Sequence, residues 1–184
     1  ITDSIAYAKR IQEAVLPSQN KLGTFFDECF ILYQPKDIVS GDFYWFSNID
    51  NKIIVVAADC TGHGVPGAFM SLIGITFLNR IIKEQRIIEP DIILNKLHDN
   101  ILQSLHKNNH QETNDGLDIS VIMVDKQESI IEYAGAMNSI YIIKNGELEE
   151  YKANIATIGV PIMKKDFDKK VILFAPTHSR KMQS

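Results

Sequence analysis

Cysteine is scarce in this chain of 184 residues, which holds only Cys29 and Cys60. The two form no metal-ligand motif, and a reducing compartment with both thiols free is the simplest expectation. That points to the cytoplasm, either directly or as the cytoplasmic part of a larger, membrane-attached sensor. A basic excess is missing as well: 19 Lys and Arg face 23 Asp and Glu, for a net charge of −4 and a pI near 5.7. With no basic patch interleaved with aromatics, nucleic acid is excluded as a partner. No apolar run approaches the length of a membrane span, and no signal peptide is visible. Internal repeats and low-complexity segments are absent. What remains is ordinary for a globular protein, with 45% hydrophobic and 23% charged residues and enough length for one domain with a core. The chain begins at Ile1 rather than Met, so it is expected to be cut from something longer.

The stretch from Pro35 to Met70 organises the rest. Asp42 opens a strand-like run, Phe43–Phe46, and Asp59 closes another, Ile53–Ala58. Read with a five-residue loop over Asn48–Lys52, the two form an antiparallel hairpin. The start of the first strand then lies beside the end of the second, and Asp42 meets Asp59. Two carboxylates about 4 Å apart repel by roughly 1 kcal/mol in water and about 4 kcal/mol at an effective dielectric of 20. Hard divalent cations with oxygen ligands are the usual compensation. The plainer reading is a strand-to-helix turn with an Asp cap, but a cap needs no second Asp from a neighbouring strand. After Asp59, Gly62 and Gly64 flank His63 in a turn that allows positive φ and close backbone approach. Pro66 suits a first helical turn, whose amide donors favour an anion such as phosphate.

The flanking chain reads as layered α+β. Asp3 or Ser4 caps a helix running to about Leu16 and stopped by Pro17, with an apolar stripe of Ile5, Ala8, Ile11, Ala14 and Val15. Phe25–Gln34 alternates like a first strand. Val65–Gln85 is helical and apolar on nearly every side, hence buried. A second helix starts at Pro90, with Ile93, Leu94, Leu97, Ile101 and Leu105 at helical spacing. Strands follow at Ile119–Val124, Ile130–Ala134, Ile140–Ile143, Leu148–Tyr151 and Lys170–Phe174, with Asn145-Gly146 as a hairpin turn and Ile158–Pro161 as a turn. Tyr44 and Trp45 are packing residues, and His98, His106 and His110 read as surface residues rather than metal ligands. Two consecutive helices between strand groups argue against alternating βαβ units.

Ser40-Gly41-Asp42-Phe43-Tyr44-Trp45 and Asp59-Cys60-Thr61-Gly62-His63-Gly64-Val65-Pro66-Gly67-Ala68 resemble the first two signature motifs of the metal-dependent (PPM-type) protein serine/threonine phosphatases. The closer resemblance is to the bacterial branch named after the SpoIIE sporulation phosphatase and the RsbU sigma-factor regulators. Asp115-Gly116-Leu117-Asp118 and Glu132-Tyr133-Ala134-Gly135-Ala136 extend it, from about Ser4 to Phe174.

The resemblance implies an antiparallel β-sandwich flanked by helices, in α-β-β-α layers. Residues 1–17 would be a linker or regulatory helix and residues 18–184 the phosphatase domain. It implies two Mn²⁺ or Mg²⁺ ions held by Asp42, Asp59 and the Cys60 backbone carbonyl, with Asp118 helping to hold a metal or its water. A metal-activated water would hydrolyse phosphoserine or phosphothreonine without a phosphoenzyme, and Cys60 lacks the setting of a cysteine nucleophile. His63 is either the proton donor to the leaving oxygen or a structural residue of the turn. Gly62 and Gly64 lie where substrate would bind. Lys36 reads first as a solvated loop lysine and second as a contact to substrate phosphate. The implied partners are a phosphorylated signalling protein of the STAS, anti-sigma-factor-antagonist kind and an upstream sensor module, with dimerisation through the N-terminal helix. In one respect the chain departs from the pattern. Family members continue into a strand ending Thr-Asp-Gly and later supply a further Asp, whereas here the last residues are Ala175–Ser184 and Thr-Asp-Gly is absent. The expectation is a domain whose C-terminal part is missing, with an exposed edge or apolar face. Two other readings stand beside the phosphatase: an inactive regulatory or interaction fragment, and a different two-metal hydrolase.

Overall fold

The central hairpin closes on two residues rather than five. In a computed structural model that describes residues 2–105, 115–161 and 166–174, β1 (Phe43–Ile49) and β2 (Lys52–Cys60) are joined by Asp50 and Asn51 alone. Both sit in the left-handed region, with φ of 51° and 64°, as the twist-matched two-residue hairpin turn demands. Asp and Asn tolerate that conformation better than most residues. Arg86 Nη2 donates to both Asp50 carboxylate oxygens, at 2.6 and 2.7 Å. The shorter turn lengthens both strands at the loop end.

The chain starts with α1 (Thr2–Val15) and a short 3₁₀ turn at Gln19–Thr24. After the hairpin comes α2 (Gly64–Leu78), continuing as a π-helical segment, Asn79–Glu84, and then α3 (Pro90–Leu105). Strands β3 (Leu117–Asp125) and β4 (Ile130–Ala136) follow, then β5 (Ile140–Lys144), β6 (Glu147–Tyr151) and β7 (Lys170–Leu173). The main sheet has the order β1-β2-β3-β4-β7, antiparallel throughout. Strands β5 and β6 pair separately across Asn145-Gly146, whose φ values of 54° and 82° match the expected turn. The α+β class with helices flanking an antiparallel sheet is as expected.

The core lies between the sheet and the helices. Trp45, Ile54, Val56, Ile119 and Val121 face Leu78, Ile81, Ile93, Leu94, Leu97 and Ile101, all but fully buried. Each buried aliphatic side chain contributes about 1.5–3 kcal/mol. Trp45 confirms its packing role, and its Nε1 donates to Asn79 Oδ1 at 3.2 Å. The residues from Gly64 to Glu84 are in fact long and apolar enough to match a bilayer span, contrary to the sequence expectation. Half of the most apolar stretch is buried inside the protein, so core packing accounts for its composition.

Two further expectations are corrected. Phe25–Gln34 forms no strand: Phe25 packs edge-on against Phe46 and Tyr33 against Tyr44, while Phe30 and Leu32 are 88% and 75% exposed. Alternation yields a strand only where a partner edge takes it up, and none of the described strands pairs with this segment. On α1, Ile11 and Val15 of the stripe are exposed and Ile5 and Ala8 half-buried, and among the described residues of the helix only Gln12 is buried. His98 is half-buried rather than on the surface, packs against Phe167, and accepts a hydrogen bond from the Gly159 amide at 3.1 Å. Burial holds its pKa below the usual histidine value, so it stays the neutral acceptor. His106 and His110 lie outside the described residues. Apolar side chains stand exposed on β7 (Val171, Leu173) and on the small sheet (Tyr141, Ile143, Leu148).

Candidate active site

The hairpin register ends with Phe43 opposite Ala58, so one further step sets Asp42 against Asp59. Burial first, then the hydrogen bond and charge of Asp42, raise the Asp59 pKa above the usual carboxylate value. On its other side Asp59 is the register partner of Asp118. Three aspartates therefore stand on three consecutive strand ends. Asp118 is held twice: Thr157 Oγ1 donates to its Oδ1 at 2.8 Å, and Asn138 Nδ2 donates to its backbone carbonyl at 3.0 Å. Among the described residues no three acidic, His or Cys side chains converge tightly enough to enclose an ion. Asp118 thus stands beside the Asp42–Asp59 pair rather than within it.

The floor of the site is backbone packed on backbone. A Cβ on Gly41 would lie 3.0 Å from the Gly62 carbonyl oxygen and 3.2 Å from that of Cys60. One on Gly67 would lie 2.6 Å from the Gly62 oxygen. Glycine at these positions lets the first turn of α2 close onto the loop that carries Asp42. Gly62 and Gly64 adopt φ of 86° and 63°, as the sequence predicts for the turn. The Cys60 side chain is buried in the core, where burial and then the charges of Asp59 and Asp42 push its pKa far up, so it stays a neutral thiol. Its backbone oxygen, by contrast, faces Gly41. The donor set at this end of the sheet is therefore oxygen: two carboxylates, neither of them in an ion pair among the described residues, and a nearby carbonyl. That chemistry fits a hard divalent cation such as Mn²⁺ or Mg²⁺.

His63 occupies the cap position of α2 but makes no side-chain cap bond. Its Nδ1 lies 3.2 Å from Asp37 Oδ2, at the exposed rim of the site. Lys36 is exposed next to Asp37. Beside the acid pair is a cavity of about 260 Å³ lined by Leu32, Tyr33, Tyr44, Asp42, Asp59 and Asn138. Tyr33 donates its hydroxyl to the Asp42 carbonyl at 3.3 Å.

Sequence reasoning missed Asp37, Asn138 and Thr157, which reach the site from loops with no periodicity to read. It also missed Gln12. This buried side chain donates to the Ser40 carbonyl at 2.6 Å and to Ser71 Oγ at 2.8 Å, and accepts from the Ser40 amide at 2.9 Å. A lone glutamine beside an apolar helical stripe was the available signal.

Comparison with known proteins bears on the family and the fold. The family description for Stage II sporulation protein E (SpoIIE) matches residues 49–177. The SiaA PP2C domain of Pseudomonas aeruginosa is 29% identical and superposes with a TM-score of 0.81, over 95% of this chain and 68% of that one. The structure of the SpoIIE phosphatase domain with a regulatory fragment from Bacillus subtilis is 22% identical, with a TM-score of 0.59 over 74% of this chain and 38% of that one. RsbX, solved in complex with magnesium, is 15% identical, with a TM-score of 0.56 over 79% of this chain and 66% of that one. No curated protein matches the chain.

Proposed function

Because the chain belongs to the SpoIIE family of PP2C-type phosphatase domains, we propose that it hydrolyses phosphoserine or phosphothreonine on a signalling protein. The observation that carries the reading is the placement of Asp42 against Asp59 at adjoining strand ends, where burial and then the hydrogen bond and charge of Asp42 raise the Asp59 pKa. Asp42, Asp59 and the Cys60 carbonyl would hold the metal, Mn²⁺ or Mg²⁺, as up to two ions. Such ions supply a nucleophilic water at neutral pH and neutralise phosphoryl charge. The chain's own residues do the rest. Asp118 helps to hold a metal or its water at the rim of the pair. His63, steadied by Asp37, hands a proton to the leaving seryl or threonyl oxygen. The glycines at 62 and 64 keep the turn open to phosphate, and Lys36 offers a cation at the entrance. Neutral, buried Cys60 is unsuited to act as a nucleophile.

The substrate we propose is a phosphorylated anti-sigma-factor antagonist of the STAS kind, in the cytoplasm, under control of a sensor joined through α1. The exposed residues Tyr7, Ile11 and Val15, four apart along one face of α1, support pairing of that helix with a second copy. Release of phosphate from a phosphothreonine peptide in the presence of Mn²⁺, absent with chelator, is the expected result. Equal turnover of nucleotides and small phosphate esters would favour a different two-metal hydrolase. A second reading, an inactive regulatory fragment, is favoured by one observation: among the described residues the acids do not converge as a trio. A folded chain that releases no phosphate at any Mn²⁺ concentration would establish it.

A further inference from the structure

Thr157 reaches the acid row from a loop with no part in the motifs, and its placement is determined from several sides. The Ile158 amide donates to the Leu117 carbonyl at 2.9 Å, and the Ile158 carbonyl accepts from the Leu117 amide at 3.0 Å. Ile158 is fully buried. The next residue, Gly159, has φ of 84°, and a Cβ there would lie 2.5 Å from Ile101 Cγ2. Its amide is held by His98. On the other side, a Cβ on Gly116 would lie 2.3 Å from the Ile158 carbonyl oxygen and 2.7 Å from Thr157 Cγ2. The methyl of Thr157 therefore fills the space that Gly116 leaves. Its hydroxyl points the other way, to Asp118 Oδ1 at 2.8 Å.

We infer that Thr157 is a positioning residue: its hydroxyl fixes one oxygen of Asp118, so that the other is presented beside the Asp42–Asp59 pair. The inference rests on the metal-site reading above. A neutral donor suits this task, because a Lys or Arg there would cancel the negative charge that the site needs. Holding a ligand group from behind typically contributes 10–100-fold in metal affinity or activity.

The test is Mn²⁺ affinity by calorimetry on the 184-residue chain, alongside kcat and KM for a phosphothreonine peptide. Thr157→Val keeps the methyl and removes the hydroxyl. Its Mn²⁺ affinity should fall at least 10-fold, with a lower kcat, an unchanged peptide KM and a melting temperature in chelator lowered by only the few degrees that one lost hydrogen bond gives. Thr157→Ser, which keeps the hydroxyl, should recover most of the loss. In an Asp118→Asn background, Thr157→Val should add nothing further. Mn²⁺ affinity in Thr157→Val equal to that of the parent chain, while Asp59→Asn abolishes binding, would overturn the role of Thr157 and leave the metal-site reading standing. No Mn²⁺ uptake by the parent chain would overturn both.

Discussion

Gln12 on the N-terminal helix donates a 2.6 Å hydrogen bond to the carbonyl of Ser40, two residues before Asp42. The same amide also binds Ser71 on α2 and accepts from the Ser40 amide. One buried side chain thus ties three parts of the fold together at the entrance to the acid pair.

Replacing Gln12 by Ala leaves the buried polar groups of Ser40 and Ser71 without this partner. A cost of about 2–3 kcal/mol in stability is expected, the usual penalty for stranding buried donors and acceptors. Ile11→Ala, one residue earlier and exposed, should stay within about 0.5 kcal/mol. Denaturant unfolding of the two variants checks this. Equal midpoints would show that α1 is not held through Gln12.

Gly67 has no room for a methyl group, since the Gly62 carbonyl would stand 2.6 Å away. Gly67→Ala should destabilise by about 1–3 kcal/mol through overpacking and should lower turnover by shifting the turn at 62–64. Gly23 is the internal control, with nothing within 4 Å of an added Cβ. Gly23→Ala should be neutral or stabilise by about 0.4–1 kcal/mol.

Asp59→Asn removes one charge from a like-charged pair. In chelator the variant should melt roughly 2–4 °C above the parent chain, the shift that about 1 kcal/mol gives at this size. With excess Mn²⁺ the order should reverse, because only the parent chain gains from binding. A variant less stable than the parent in chelator would mean that the pair is already compensated by other groups.

Asp125 ends β3 and accepts from the Glu128 and Gln127 amides at 3.1 and 3.0 Å, with Lys52 alongside at 3.3 Å. These contacts, the Glu128 amide foremost, hold its pKa below the usual carboxylate value. Its contribution is therefore fully present above an unfolded pKa of about 4 and is lost as pH falls through the lower folded value. The melting temperature of the parent chain should exceed that of Asp125→Asn at pH 6, and the gap should narrow as pH falls below about 4. A gap independent of pH would contradict the account.

The acid pair was legible because strand alternation and turn chemistry act locally, but the loop length decided the match. A five-residue loop centred on Asp50 would set Asp42 against Ala58, and a one-residue slip turns every side chain to the other face. The two-residue turn at Asp50 and Asn51 instead gives the observed register, and it was readable in principle from two residues that tolerate positive φ. The Phe25–Gln34 segment misled because its alternation is real while its pairing is not decided locally. The contacts of Gln12, Asp37, Asn138 and Thr157 were illegible for a different reason. Each depends on tertiary placement of a loop or helix far away in the chain, and no local pattern encodes it.

The most direct measurement is the rate of p-nitrophenyl phosphate hydrolysis by the parent chain and by Asp42→Asn and Asp59→Asn, across a Mn²⁺ titration. The account predicts saturable, Mn²⁺-dependent turnover in the parent chain and a loss of at least 100-fold in either variant, with all three proteins folded. Turnover that ignores Mn²⁺, or that survives both substitutions, would contradict it.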